Sequence, residues 1–322
     1  MSQEASNIVQ EPMPEQAEVK SENQWTLILK RFFSNPLAVT SLIIFVGIWV
    51  FSVAAIGLGP IPGFWELSYR GSHPQGAPNG APTGMHPFGQ TTIGEDYFAM
   101  TMRGIQNSYL VMFLIGGVAT VIGTVVGAIA GYYRGWVDAV LMRITDVFIV
   151  IPTLVVGAVV GRISGGLGVW PLGLLLGFVA WMGIARLVRG EFLSLREREF
   201  VDAARVAGAS DGRIIFKHIL PNAVGVVIVA STLLFASSIL LETGLSYLGY
   251  GILPPEVSLG RLISDNQTAF ANRPWLYWWP ALFIVVPALA INFVGDGLRE
   301  AFDPRQKRFS KRRTRELPAE SK

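Results

Sequence analysis

Cysteine is absent from all 322 residues, which excludes disulfides, thiol catalysis and thiolate-bound metals. Charge is scarce as well: Asp, Glu, Lys and Arg make up 15% of the chain, where a soluble domain carries about 25%. The histidines are three, His73, His86 and His218, at no metal-ligand spacing, and no HExxH occurs. No GxxxxGK[ST] loop is present to cradle a nucleotide, and no nucleophile–base pair stands at a recognisable spacing. A catalytic reading therefore has little to stand on, and neither a metal nor a cofactor held by this chain is expected. The opening MSQEASNIVQEPMPEQAEVKSENQ lacks an apolar core. It is neither a signal peptide nor a lipidation motif, and reads as a disordered tail over 1–24.

Apolar residues are what the chain has in excess. They form 51% of it, with a mean hydropathy of +0.44, 35 glycines and 9 tryptophans. This is the composition of an integral membrane protein. A helix needs roughly 20 apolar residues to cross the hydrocarbon core. Leu37–Leu58 and about Tyr109–Gly131 meet that length. So do the stretches between Arg162 and Arg186, Lys217 and Glu242, and Arg273 and Asp296. One further span, third in chain order, is VDAVLMRITDVFIVIPTLVVGAVVG (137–161), with Asp138, Arg143 and Asp146 all in its first half. Arg143 and Asp146, three apart, can face each other on one helix side. Ionisable groups inside spans are functional suspects by default. Arg143, Asp146 and Glu242, at the outer end of the fifth span, are thus candidates for lining or gating a pathway. An intrahelical ion pair and an interface-facing acid are the competing readings.

The expected fold is an all-α polytopic membrane protein with six transmembrane helices. Six spans put both termini on one side, and the distribution of basic residues says which. Of 26 Lys and Arg, only Arg70, Arg103, Arg162, Arg261 and Arg273 fall on the opposite side. The termini are expected in the cytoplasm, with 305–322 as a basic tail. Before the first span, WTLILKRFF sets Trp25, Ile28, Leu29, Phe32 and Phe33 against Lys30 and Arg31. It reads as an interfacial helix over 25–36. The six-span domain is expected over 37–304. Its outer loop, 59–108, holds GSHPQGAPNGAPTGMHPFG, too rich in Gly and Pro for regular structure. A second outer loop, 245–277, ends in NRPWLYWWP, which suits an aromatic belt.

Between the fourth and fifth spans, residues 189–221 form a charged cytoplasmic segment. Helical spacing predicts a helix over Glu197–Ala207, with Phe200, Ala203, Ala204 and Ala207 on one face and Arg198, Asp202 and Arg205 on another. Gly208 suits its C-terminal cap, Ser210 the start of a second short helix, and Pro221 the first turn of span five. Small alanines let another surface approach closely. Periodicity alone fits equally a docking knob for a cytoplasmic partner and a solvated loop with a helical turn.

The residues themselves add a resemblance. DAARVAG followed by ASDGRIIFKHILPN resembles the EAA motif of inner-membrane subunits of bacterial ABC importers. That motif sets an acid, two alanines, a glycine four residues on and a Leu-Pro whose proline is thirteen beyond the glycine. Here these are Asp202, Ala203, Ala204, Gly208, Leu220 and Pro221, with Asp202 in place of the usual Glu. RFFSNPLAVTSL (31–42), HPFGQTTIGEDYFAMTMRG (86–104), ETGLSYLGYG (242–251) and NFVGDGLREAFDPR (292–305) look like signatures of the C-type permeases in the peptide/nickel branch. Gln90 and Glu95 depart from that pattern, as does the Gly/Pro-rich insert before them.

The resemblance implies a MetI-like ABC permease fold, with a cytoplasmic coupling helix between spans four and five. It implies that the chain pairs with a homologous permease as a heterodimer in the bacterial inner membrane. Two cytoplasmic ATPases, holding ATP and Mg, would dock on the segment carrying Phe200, Asp202, Ala203, Ala204, Arg205, Gly208, Ala209, Leu220 and Pro221. An extracytoplasmic binding protein would deliver the substrate, a dipeptide or oligopeptide, with nickel chelates and haem left open by the branch; no nucleic acid is involved. An ion-driven secondary transporter would instead call for acids deep within spans and internal repeats, and neither is evident. An intramembrane hydrolase or a scaffold is the third class.

Overall fold

The computed structural model describes residues 24–164 and 168–302. The expected tails lie outside the described residues, apart from Gln24. Among the described residues there are helices and isolated bridges but no strand.

Two helices open the chain, α1 (Gln24–Phe33) and α2 (Pro36–Ile56). Asn35 separates them: its side chain accepts from the Ala38 N–H, and Pro36 takes the first helical position, where no donor is needed. The apolar side of α1 is divided. Ile28 and Phe32 pack against Ala38, Val294 and Ala301, while Trp25, Leu29 and Phe33 stay exposed, as a helix lying along a membrane surface requires.

The outer loop ends earlier than expected, because Asp96 caps a helix there, accepting from the Ala99 N–H at 2.9 Å. Residues 97–108, expected in the loop, are the first three turns of α3 (Tyr97–Tyr133), 37 residues long. Hydropathy marks only its lower part, since Arg103, Gln106 and Asn107 dilute the upper turns. The insert itself has no regular element beyond one short turn, in line with its Gly/Pro content. It is nevertheless fixed from within. Gln90, fully buried, accepts from the Gly76 N–H at 2.9 Å and donates to the carbonyls of Pro74 and Gly94 at 3.1 and 3.2 Å. The departure at Gln90 and the atypical insert are thus one feature: the amide fastens the loop.

The third and fourth spans are not straight helices. α4 (Gly135–Ile149) and α5 (Thr153–Ser164) meet at 83°, and α6 (Val169–Gly177) and α7 (Met182–Leu195) at 40°. Pro152 explains the first break: it lacks an N–H and pushes Ile151 out of helical backbone. Among the described residues, four helices are long and apolar enough to span a membrane alone, and up to six spans result if each bent pair is one. α7 also runs to Leu195, so the first residues of the expected 189–221 segment are helix from the preceding span. Beyond it come α8 (Glu199–Val206), the single turn α9 (Asp211–Arg213), a π-helical turn at Ile214–Ile219, and α10 (Leu220–Tyr247). α11 (Leu259–Asn266) and α12 (Trp275–Phe302) complete the chain.

Helix α3 is the central post. Its glycines 123, 127 and 131 lie against α7, and a Cβ at Gly127 would sit 2.5 Å from the Ala185 carbonyl. Small residues at such spacing let two membrane helices approach to backbone contact. Of the four apolar clusters among the described residues, the two largest flank this post. One, toward the loops, gathers Phe88, Tyr97, Met102, Tyr109 and Leu276; the other gathers Val188, Phe192, Ile214 and Ile219 around α8. The aromatic cluster near 275 divides likewise. Trp279 stacks on Phe88 with ring centres 3.9 Å apart, while Trp278 is 60% exposed and free to sit in an interfacial belt.

Gln90→Ala removes the bonds to Gly76, Pro74 and Gly94, at about 0.5–1.5 kcal/mol for each, since Pro74 and Gly76 are exposed to water and the Gly94 carbonyl keeps the His73 N–H. Limited proteolysis should cut the 71–90 stretch faster in this variant than in wild type; equal rates would show that Gln90 does not fasten the loop.

Candidate functional site

The charged segment after α7 forms a bracket. α8 begins after Arg198 and closes with Ala207, and Gly208 takes a φ of +78°, a backbone that favours glycine. The Gly208 N–H donates to the Arg205 carbonyl and the Ala209 N–H to that of Ala204, at 2.9 and 3.0 Å, a Schellman closure. Ser210 precedes α9 in extended backbone, but its side chain makes no capping bond, contrary to expectation. Its carbonyl accepts from Ile214 instead.

The helix is rotated from the expected face. Val201 and Ala204 point inward onto Ile214, Ile215 and Ile219, whereas Phe200, Ala203 and Ala207 face out. Ala204 is therefore an anchor and not part of an exposed small-residue face. The periodicity missed this because Val201, one step from Phe200, is the more deeply buried of the two. Burying one valine contributes about 1.5–3 kcal/mol. The exposed Asp202–Arg205 pair, at 3.2 Å, contributes only about 0.3–0.5 kcal/mol. Apolar anchoring holds α8, and the charges are left available. Val206, 90% exposed, is an apolar residue on the outer surface that periodicity passed over.

On the far side of the bracket, the π turn runs directly into α10, so Asp211–Tyr247 is continuous helix. Leu220 donates back five residues to Ile215, the residue before Pro221, whose ring would crowd an α-helical turn. Pro221 does sit in the first turn of α10, but helix precedes it. The Asn222 side chain donates to the His218 carbonyl at 2.6 Å, partnering an acceptor beside the π turn.

Tyr132, at the end of α3, ties the bracket down and was not foreseen. Its hydroxyl donates to Asp211 at 2.6 Å, its carbonyl accepts from Arg196, and the Arg196 guanidinium lies 5.5 Å over its ring. Beside it, Arg134 pairs with Glu197 at 2.9 Å. The partners lie between 63 and 79 residues apart, so no local spacing could reveal them.

The intraspan ions are also placed differently from expectation. Asp146 does not face Arg143 along α4; it pairs with Arg186 of α7, and Arg143 is exposed. Asp138 takes both Nε and Nη2 of Arg189, the latter at 2.6 Å. Two arginine–aspartate pairs thus bind α4 to α7, because the bend at Pro152 lays the first half of the third span along α7. Glu242 is fully buried, accepting from Ser108 of α3 at 2.8 Å and from Ser246 at 2.7 Å. Being buried, it is not an interface-facing acid; it joins α10 to α3.

On the loop side a second polar centre forms around Glu256. One carboxylate oxygen accepts from Arg103 and Asn107, both at 3.1 Å, and the other from Arg70 at 3.2 Å. Burial pushes the Glu256 carboxyl up, but the bonds from Asn107 and Arg103 and the charges of Arg103 and Arg70 outweigh it. The group is held below its ordinary 4.5. Such stabilisation is complete above the ordinary carboxylate range and is lost as pH falls through the depressed value. Glu256→Gln should melt below wild type at about pH 7, and the two melting curves should converge in acid, below the ordinary carboxylate value. A gap that does not change with pH would remove Glu256 as the ionised hub.

Comparison with known proteins gives a concordant set of likenesses. Residues 123–308 match the family described as binding-protein-dependent transport system inner membrane component, and residues 23–74 match the N-terminal TM domain of oligopeptide transport permease C. The oligopeptide transport system permease protein OppC of Mycobacterium tuberculosis H37Rv is 39% identical over 281 residues, covering 87% of this chain and 94% of that one. OppC of Haemophilus influenzae is 36% identical over 91% of this chain and 92% of its own. A putative peptide permease protein of Brucella ovis is 40% identical over 71% of this chain and 76% of its own. Among solved structures, an inward-facing MetNI methionine ABC transporter chain aligns with a TM-score of 0.54 at 20% identity, over 64% of this chain and 98% of that chain. That likeness concerns the fold, which is the MetI-like permease arrangement.

Proposed function

The chain belongs to the family of inner membrane components of binding-protein-dependent transport systems, and from that premise we propose that it is a permease subunit of an ATP-driven peptide importer. With a homologous permease it forms the membrane pathway. Two cytoplasmic ATPases dock on the bracket of α8, α9 and the π turn, and an extracytoplasmic binding protein delivers dipeptides or oligopeptides to the loop side. ATP and Mg are held by the ATPases, and this chain supplies no catalysis of its own. Peptide as cargo rests on the relatives' names and on the residues that resemble the C-type branch.

The observation that carries the reading is the geometry of α8. A short helix is fastened inward by Val201 and Ala204 and presents Phe200, Ala203, Val206 and Ala207 outward, on a chain with no nucleotide loop. A helix so held transmits a push, where a solvated loop would yield. Asp202, Arg205 and Gly208 set the charge and the closure of that surface; Ala209, Leu220 and Pro221 seat it on α10. Cytoplasmic termini are supported by the small share of basic residues on the loop side, and the cell inner membrane by the family's description. The same end of the molecule carries α1, α8 and the end of α12, where Arg31 donates to the Ala301 carbonyl.

Gly208→Asp forces a side chain onto a left-handed position and a charge onto the docking surface. Peptide uptake should fall about tenfold or more, equivalent to ~1.4 kcal/mol of coupling, with the protein still inserted. Wild-type uptake, or an ATPase that fails to co-purify with the unmutated chain, would contradict the assignment.

A further inference from the structure

A cavity of about 800 Å³ opens on the loop side between α2, α3, the start of α6 and the loop that follows α10, away from the α8 bracket. Its walls change character with depth. At the top stand Arg103 and Glu256; below them stand Trp49, Leu110, Phe113 and Trp170.

At the top two cations meet one carboxylate, Arg103 on the cavity wall and Arg70 beside it on the other oxygen of Glu256. Arg103 and Arg70 both pair with Glu256, and their guanidinium carbons lie 5.5 and 5.2 Å from the centre of the Tyr69 ring. Two cations thus share one carboxylate, and that carboxylate is already taken by Arg70, Arg103 and Asn107. Arg103 donates from Nε and Nη2 to Glu256 and from Nη1 to Gln106. A guanidinium has five N–H groups, so donors remain on Arg103, and more on Arg70. An anion is the complement of such a centre.

Below, the requirement is reversed. From Arg103 to Phe113 the helix descends roughly 15 Å, and the lower wall is aromatic and aliphatic. Trp49, Phe113 and Trp170 are 38%, 47% and 59% exposed there. A peptide lying along that wall would leave its backbone groups without partners, a costly arrangement at membrane depth. An acyl chain has no such groups. We propose that this cavity holds a phospholipid of the loop-side leaflet, its anionic headgroup at Arg103 and Arg70 and its acyl chain against Trp49, Leu110, Phe113 and Trp170.

The test uses the whole transporter, stripped of lipid and titrated with phosphatidylglycerol bearing a photoactivatable acyl chain, or with phosphatidylcholine bearing the same chain. Labelling of peptides that contain Trp49, Phe113 and Trp170 is read by mass spectrometry. Phosphatidylglycerol should label them about threefold or more above phosphatidylcholine, the order expected of one partly exposed charge. Arg70→Gln removes one cation and leaves the Arg103–Glu256 pair, so it should bring the two lipids to parity. A short peptide with a free carboxylate should not displace the label. Equal labelling in wild type, a preference that survives Arg70→Gln, label confined to other helices, or displacement by the peptide each overturns the proposal.

Discussion

The contact between α3 and α7 fixes the position of nearly everything on the α8 side. Between helices in lipid there is no hydrophobic drive to associate, so close van der Waals packing must supply the attraction. Gly123, Gly127 and Gly131 make that packing possible, since a Cβ at any of them would lie under 3 Å from atoms of α7. Once α7 is seated, Arg186 and Arg189 are in place to hold α4 through Asp146 and Asp138. Arg196 meets the end of α3 at Tyr132, and the chain leaves α7 in position to fold α8 back onto the isoleucines of the π turn.

Helix α10 is then fastened at both ends. Near its start, the isoleucine core and the Tyr132–Asp211 bond hold it to α8 and α3. Near its end, Glu242 joins it to Ser108, and Ser246 accepts from the Ile252 N–H of the following loop. Helix continues from Asp211 to Tyr247 through the π turn, so α8 packs directly on the end of a single long element. The loop side has a separate anchor in Glu256, which collects Arg70, Arg103 and Asn107 across long sequence distances. A two-state transporter needs rigid parts joined at a few movable contacts, since a ligand shifts an equilibrium only through contacts that differ between the states.

Hydropathy made the spans legible because lipid demands long apolar helices, and α2, α10 and α12 fall close to the stretches it marks. It read α3 short, since Arg103, Gln106 and Asn107 break the apolar run while making polar bonds to Glu256, Ser52 and Val257. The bend at Pro152 was visible as a proline in an apolar run, but an apolar run carries no information on angle. At the coupling segment, the glycine cap was legible from one residue's backbone preference. The rotation of α8 was not: Phe200 and Val201 are both apolar neighbours, and only the isoleucines ten or more residues on select Val201. Tyr132, Asp138–Arg189 and Glu256 were invisible for a common reason. Their partners lie 51 to 186 residues away, and nothing in a single sequence pairs them.

Accessibility along α8 tests the docking account most directly, and a chain without cysteine gives a clean background for it. Single cysteines are introduced at Val206, 90% exposed, and at Ala204, 9% exposed, and their maleimide labelling is followed with and without the bound ATPase. Val206→Cys should label readily in the free permease and be protected once the ATPase is bound, while Ala204→Cys should resist labelling in both. Equal labelling of Val206→Cys in the two states would contradict a docking surface on α8.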